Sequence, residues 1–484
     1  MIKAEERQVM IGLEIHITLM TKTKLFCSCQ TVQNYELTIS ADEGFVPPAN
    51  TFVCPTCLGH PGSKPVVNSN AVKNSMKLCL AMQCKISPSL IFSRKAYFYP
   101  DLSKNYQITQ FEEPLGRNGK LLLQSGREIE ISRIHLEEDP ASLEYPETIT
   151  TSQFSLIDYN RAGNPLCEIV TSPNINNPQE AREALNQLIT IIEYLGIFDQ
   201  RYCSIKADAN ISIKESSFTR VEVKNITSFK EIESALNFEI TRQKMRVNRG
   251  LKIERETRSW DATSKTTKPL RTKESEEDYG YIFDPDLCPT EIGKDAIERV
   301  KKEIPELHFE KIKRFVKEYK IAKDDALVLS SDIILADLFE DVAGKVNPQL
   351  TAKWLRRELL RVLNFADKTI RDDAINKEHL TELLELLNAK KITERTAQKM
   401  MNELIKKDFS PKEIVSSQQL GKIDDKKEIQ KMCSEAIKEN PKAAADFKSG
   451  KEESLHFLFG QVMRKTNGKA EPKIVKKVLK KLLV

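Results

Sequence analysis

Near Gly293 the chain changes character, and this change constrains its fold more than any single motif. Before it, short segments alternate apolar and polar residues with the two-residue period of strands, punctuated by Gly and Pro. After it, Gly becomes rare and Ala, Leu, Lys and Glu recur at helical spacing. A strand-rich part followed by an all-helical one implies an α+β architecture: a sheet domain over 1–292, then helical segments. At 484 residues there is chain enough for two or three domains, each able to bury a core without disulfides. Ile304-Pro305-Glu306-Leu307 opens one helix and 326–342 contains others. Around Phe409-Ser410-Pro411 one helix stops and another starts, so the helical part divides into 293–408 and a tail over 409–484.

No apolar run approaches membrane-spanning length, and the opening Met-Ile-Lys-Ala-Glu-Glu-Arg has neither region of a signal peptide. The expectation is a cytoplasmic protein without a membrane partner. In a reducing compartment the ten cysteines point to metal ligation or buried thiols. Four of them form two close pairs, Cys27-Ser28-Cys29 and Cys54-Pro55-Thr56-Cys57, the pattern of a closed tetrahedral zinc site. With no open position implied, such a zinc ties the loop from Thr18 to Pro61 and does no chemistry.

The stretch from Val9 to Thr18 reads as a strand with Leu13, Ile15 and Ile17 on one face and Gly12, Glu14, His16 and Thr18 on the other. A carboxylate and an imidazole two residues apart can hold a cation or simply meet solvent; the choice depends on partners downstream. One partner is His135-Leu136-Glu137-Glu138-Asp139, which closes an alternating strand over 128–138 with three successive carboxylates whose repulsion calls for a cation or basic groups. Another is the segment 206–213, with Asp208, Asn210 and Ser212 on one face; a strand over 220–225 pairs with it. Between these, Lys95, Tyr97 and Tyr99 share one face of a further strand, offering a cation and two phenols able to clamp phosphate or flank a nucleotide. Helices are expected over 68–84, from Pro178 after Asn177 to about Leu195 with Gly196 as its stop, and from a capping box of Ser228 and Glu231 to just before Gly250.

In order, Ile11-Gly12-Leu13-Glu14-Ile15-His16, the segment from Arg94 to Asp101, His135 to Asp139, Asp158 to Leu166, Asp208-Ala209-Asn210-Ile211-Ser212 and Val223 to Phe229 resemble the B-subunit family of aspartyl/glutamyl-tRNA(Asn/Gln) amidotransferases. The similarity continues through Glu256 to Asp261 and Asp278 to Tyr281. It ends in a tail, Phe459 to Met463 and Thr466 to Ala470, that is similar to that family's YqeY-like domain.

The resemblance implies a carbon–nitrogen ligase with glutamine as amido donor. ATP phosphorylates the side-chain carboxylate of Glu on tRNA(Gln) or Asp on tRNA(Asn), and ammonia then displaces phosphate. It implies an antiparallel-sheet catalytic cradle similar to those of glutamine synthetase and the guanido kinases, in keeping with the absence of a G-x-x-x-x-G-K-[ST] loop and of G-x-G-x-x-G. The cofactors implied are ATP, Mg²⁺ or Mn²⁺, and a structural Zn²⁺. Carried onto this chain, Glu14, His16, Glu138 and Asp208 form the Mg²⁺ or Mn²⁺ sphere, with Glu137 in it or just behind. Lys95 and Tyr97 join Glu137 and Glu138 as catalytic residues, Lys95, Tyr99 and Lys206 bind the nucleotide, and Cys27, Cys29, Cys54 and Cys57 hold zinc. Ala96, Lys206 and Gly280 depart from the Asn, Arg and Arg usual in the family, and lysine supplies charge without a bidentate fork.

The six scattered histidines and the lack of an amidase-type serine and lysine signature leave this chain without an ammonia source. The resemblance supplies one: an amidase (A) subunit feeding ammonia, and a small C subunit completing a heterotrimer. Lys465, Lys469, Lys473, Lys476, Lys477, Lys480 and Lys481 crowd the tail, where they can meet the phosphates of misacylated tRNA without reading its sequence. Two rival readings are a non-catalytic, zinc-stabilised tRNA-binding scaffold and a stand-alone ligase related to glutamine synthetase.

Overall fold

The computed structural model describes residues 7–38, 47–147, 151–226, 229–272, 279–372, 375–417, 426–466 and 470–483. Two compact units divide the chain, Met1–Leu307 and His308–Val484.

Among the described residues the first unit is built on sixteen strands: β1 (Val9–Thr18), β2 (Lys85–Ile86), β3 (Ser89–Leu90), β4 (Ser93–Ala96), β5 (Tyr106–Thr109), β6 (Gly116–Leu122), β7 (Glu128–Glu138), β8 (Ser142–Glu144), β9 (Leu156–Asp158), β10 (Pro165–Thr171), β11 (Ile205–Ile213), β12 (Val221–Ile226), β13 (Glu256–Asp261), β14 (Thr266–Thr272), β15 (Gly280–Phe283) and β16 (Thr290–Glu291). Nine of them form one sheet in the order β14-β13-β12-β11-β1-β10-β7-β6-β2. Every pairing in it is antiparallel except β12 with β13. A three-stranded sheet, β15-β4-β5, stands beside it and contacts β7 through β5.

Among the described residues five α-helices complete this unit: α1 (Val32–Thr38), α2 (Ser69–Ala81), α3 (Pro178–Tyr194), α4 (Phe229–Asn248) and α5 (Lys294–Lys302). The main sheet has one apolar face, on which Leu13, Ile15 and Ile17 of β1, Ile134 and Leu136 of β7, Cys167 and Ile169 of β10, Ala209 and Ile211 of β11 and Val221 and Val223 of β12 are all buried. Helix α4 covers β11, β12 and β14, α3 lies against α4 and β6, and α2 lies against β7 and α5. The helix starts have local causes. Asn68 and Asn177 each accept a backbone N–H of the first turn, and Pro178 follows Asn177 where no amide hydrogen is needed. Ser228, half of the expected capping box, lies outside the described residues; Glu231, the other half, accepts the indole N–H of Trp260 at 2.5 Å.

The second unit is helical throughout its described residues. Its first core gathers Phe315, Phe339, Trp354, Leu380 and Met401, and its second, in the tail, Leu458, Val462, Val475 and Leu479. One helix begins at His308, directly after the Ile304-to-Leu307 start signal, and Pro411 opens another. Among the described residues no helix is long and apolar enough to cross a membrane.

Candidate functional site

The face of the main sheet opposite the helices carries the polar side chains. Register sets their order: His16 on β1 lies opposite Glu168 on β10 and Lys206 on β11, and Glu168 in turn lies opposite His135 on β7. Glu137, two residues beyond His135, shares its face. His16 Nε2 is 3.4 Å from Glu168 Oε2 and 3.5 Å from Glu137 Oε1, and His135 Nε2 is 3.3 Å from Glu168. One ligand atom from each of His16, Glu137 and Glu168 falls within 4.8 Å of the others.

Charge is concentrated here. Burial alone would lower the pKa of His16, but the hydrogen bond and charge of Glu168, with the charges of Glu137 and Asp208, raise it to about 9. Burial and the neighbouring Glu168 raise Glu137 against the pull of His16, His135 and Lys95. Burial would also raise Glu168, yet His135 and His16 hold it well below the usual carboxylate range. Two carboxylates and an imidazole converging on one point suit a hard divalent cation such as Mg²⁺ or Mn²⁺, which on binding would displace the proton of His16.

A second acidic group adjoins the first. Glu14 lies opposite Asp208 and accepts Asn210 Nδ2 at 2.8 Å. A bulge between Ala207 and Ala209 takes Asp208 out of its pairing with β12. Asp208 meets Lys224 Nζ at 2.9 Å, and Glu222, held by Thr257 Oγ1, lies 3.6 Å from the same ammonium. Burial disfavours that charge, but Asp208 and Glu222 outweigh it and raise the pKa of Lys224.

Of the four expected ligands, Glu14, His16, Glu138 and Asp208, His16 alone belongs to the converging set of His16, Glu137 and Glu168. Glu14, His16 and Asp208 line one face, but Glu138 points to the other side of β7, where it accepts Ile108 N–H at 2.8 Å and pairs with Lys104 Nζ at 2.6 Å. The reason is the two-residue period, which gives Glu137 to the polar face and Glu138 to the buried one. Glu168 and His135 complete the cluster in its place, and sequence reasoning gives neither of them a role. A signal for Glu168 exists: it is the lone charge in the strand Leu166-Cys167-Glu168-Ile169-Val170.

The expected strand through Tyr99 is also shorter. Pairing ends at Ala96, which is opposite both Gly280 and Tyr106, and Pro100 cannot donate to a ladder. Tyr97 and Tyr99 therefore leave the strand. Lys95 Nζ lies 4.5 Å from the ring centre of Tyr279 and 5.8 Å from that of Tyr97. Burial and the charges of Asp101 and Glu137 raise the Tyr97 phenol, so it stays a proton donor beside the cluster. Tyr99 is 44% exposed, and Lys206 is exposed on the strand next to His16. Two of the departures from the family pattern are one feature in space, since Ala96 and Gly280 are cross-strand partners; Asp278 lies outside the described residues.

The four cysteines converge on the other expected site. Their sulfurs lie within 4.8 Å of one another, and Cys54 and Cys57 Sγ are 3.8 Å apart. Tetrahedral zinc with bonds of about 2.3 Å needs sulfur–sulfur edges of roughly 3.8 Å. The backbone N–H of Cys54 donates to Cys57 Sγ at 3.1 Å. The hydrogen bond from Cys27 and the ammonium of Lys24, 3.9 Å away, hold Cys57 at about 5 against burial. These residues fit zinc.

In the tail helix Pro472–Leu483, Val475, Leu479 and Leu483 face the core, while Lys473, Lys476, Lys477, Lys480 and Lys481 are exposed. Lys465 is instead paired with Glu439 at 2.5 Å, and Lys469 lies outside the described residues. A cleft of about 910 Å³ within this unit is lined in part by Lys390, Arg395, Phe459, Arg464 and Lys473.

A family model described as the GatB/GatE catalytic domain matches residues 9–298, and a second, the GatB domain, matches 337–483. The chain belongs to the GatB family. Similar relatives include proteins named as the B subunit of aspartyl/glutamyl-tRNA(Asn/Gln) amidotransferase. That of Thermotoga petrophila is 41% identical over 484 residues, covering 98% of each chain. That of Sulfurisphaera tokodaii is 43% identical over 485 residues, covering 98% of this chain and 99% of the relative. In this GatB chain the first match spans the sheet with both candidate metal sites, and the second spans the helices that carry the lysine stripe.

Proposed function

We propose that this chain is the carboxylate-activating subunit of a tRNA-dependent amidotransferase acting on Glu-tRNA(Gln), Asp-tRNA(Asn) or both. The observation that carries the reading is the convergence of His16, Glu137 and Glu168 on the open face of the sheet, in a chain of this family. A carboxylate is a poor electrophile. Transfer of the ATP γ-phosphoryl group to it makes an acyl phosphate and ADP; ammonia then attacks the carbonyl carbon, and phosphate leaves with the bonding electrons.

His16, Glu137 and Glu168 would hold Mg²⁺ or Mn²⁺, with Glu14 and Asp208 adding negative charge on the same face. A divalent ion bound there neutralises the negative charge that spreads over the transferring phosphoryl oxygens. Lys95 brings a further positive charge to the edge of the same cluster, and the protonated Tyr97 offers a hydrogen bond to a phosphate or acyl oxygen. Lys206, exposed beside His16, and the exposed Tyr99 would meet the nucleotide. The cradle is read as one of the glutamine synthetase and guanido kinase type.

Cys27, Cys29, Cys54 and Cys57 would hold a structural Zn²⁺. The expected boundary at 293 moves to Leu307, because helix α5 packs on α2 of the sheet unit; within the helical unit we propose a further limit near 409, with the exposed lysines of the last part making phosphate contacts to tRNA. An amidase (A) subunit would supply ammonia and a small C subunit would complete the heterotrimer, in the cytoplasm.

The test supplies ammonium chloride in place of glutamine to the reconstituted complex with ATP and misacylated tRNA. Formation of Gln-tRNA(Gln) or Asn-tRNA(Asn), lost on His16→Ala, supports activation at this cluster. Undiminished product with His16→Ala contradicts it.

A further inference from the structure

We propose that Lys104 is a positioning residue that ties the end of β7 to the four-cysteine loop and so holds Glu137 toward His16 and Glu168. The inference rests on the reading of that cluster as a divalent-cation site. It starts from the three successive carboxylates of β7 and its exit, of which only Glu137 faces the cluster. Glu138 and Asp139 are both buried, and each is held by a cation of its own. The Glu138 carboxylate takes Lys104 Nζ on both oxygens, at 2.6 and 2.7 Å, and Ile108 N–H at 2.8 Å; its carbonyl accepts Gln107 Nε2 at 2.8 Å. Asp139 is gripped by Arg161 at 2.5 and 2.9 Å.

Lys104 is in turn located by the cysteine loop. The hydroxyl of its neighbour Ser103 donates to the carbonyl of Cys57 at 2.8 Å. Gly59, at φ +68°, brings bare backbone against the lysine stem: a Cβ there would lie 2.5 Å from Lys104 Cγ. A second path joins the same elements. Gly163, at φ +83°, sits where any Cβ would meet Lys24 Cδ at 3.6 Å, Cys57 Cβ at 3.8 Å and Glu138 Oε2 at 3.9 Å. Lys24, fully buried, donates to the carbonyls of Phe52 at 2.7 Å and Tyr159 at 3.2 Å. One glycine thus separates a cysteine of the loop from the carboxylate that anchors β7. Because reacting groups misplaced by about 1 Å lose on the order of a hundredfold in rate, a strand end fixed from behind is a functional requirement for Glu137.

The experiment measures Mn²⁺ affinity of the zinc-loaded complex by calorimetry and by the Mn²⁺ resonance signal. It compares the unaltered protein with Lys104→Met, Lys104→Arg, the double variant Lys104→Met/Glu138→Met, and His16→Ala. Lys104→Met is expected to weaken Mn²⁺ binding at least tenfold and to lower kcat for tRNA-dependent ATP turnover, with KM for tRNA and zinc content unchanged; Lys104→Arg recovers most of the affinity. Lys104→Met leaves a buried carboxylate without its cation and can unfold the region, which the double variant avoids by removing both charges. The double variant is expected to keep its Tm and still bind Mn²⁺ weakly. Unaltered affinity in the double variant overturns the proposal, while equal affinity in the unaltered protein and His16→Ala overturns the metal reading on which it rests.

Discussion

Glu137 and Glu138 end the same strand and face opposite sides of it: Glu137 lies 3.5 Å from His16 Nε2, and Glu138 lies 2.6 Å from Lys104 Nζ. Adjacent carboxylates with separate partners are relieved of the mutual repulsion that three acidic residues in a row would otherwise carry. The arrangement divides the work of β7 into a reacting face and an anchored one.

Glu168→Ala is expected to remove a converging ligand without disturbing the sheet, because Glu168 lies on the open face and its neighbours Cys167 and Ile169 supply the core packing. Mn²⁺ affinity should fall at least tenfold and tRNA-dependent ATP turnover by about a hundredfold, with tRNA affinity unchanged. Titration calorimetry and phosphate release measure these. Wild-type Mn²⁺ affinity in this variant would count against the cluster as a cation site.

Much of the frame is legible locally. β1 and β7 run where alternation puts them, and α3 starts at Pro178 because Asn177 caps it. What alternation does not supply is register. That His16 faces Glu168 depends on how β1 pairs with β10, a non-local choice set by the core on the other face. Hence a solitary glutamate in an apolar strand carries no evident role in the sequence. Glu138 differs: the alternation of β7 itself turns it away from Glu137, and its expected place in the metal sphere follows from the family resemblance alone. The segment after Ala96 misleads for a different reason. Its tyrosines alternate well, but Pro100 and the end of the partner strands stop the ladder.

The cysteine loop should bind one zinc per chain, measurable by elemental analysis, and Cys54→Ser should abolish it. Since a structural zinc site contributes folding free energy directly, Tm is expected to fall by roughly 5 °C or more. Full zinc content in Cys54→Ser would argue against the four-thiolate assignment.

Replacing Lys476, Lys477, Lys480 and Lys481 by alanine removes four exposed charges from one tail helix. If these side chains meet phosphates, the slope of log affinity for tRNA against log salt becomes shallower by up to roughly 3. ATP turnover at saturating tRNA should be retained. A salt slope equal to that of the unaltered protein would detach the tail from tRNA binding.

His308 is buried in the helical unit, and burial lowers its pKa from 6.5 to about 4. Above pH 6.5 the imidazole is neutral in both folded and unfolded chains and imposes no cost. As pH falls from 6.5 to 4, the unfolded chain takes up a proton that the folded chain resists, so stability is lost by on the order of 3 kcal/mol. His308→Phe should remove that part of the acid sensitivity, seen by comparing denaturant unfolding of variant and unaltered chain at pH 7 and pH 4.5. Identical pH dependence in the two would refute the assignment.

The most direct test of the central claim is release of γ-phosphate from ATP by the reconstituted complex, with and without Glu-tRNA(Gln) or Asp-tRNA(Asn), and with no ammonia donor. The account predicts hydrolysis that depends on the misacylated tRNA and disappears in His16→Ala. No phosphate release while the tRNA remains bound would contradict it, and would leave the chain a zinc-stabilised scaffold that presents tRNA to a catalytic partner.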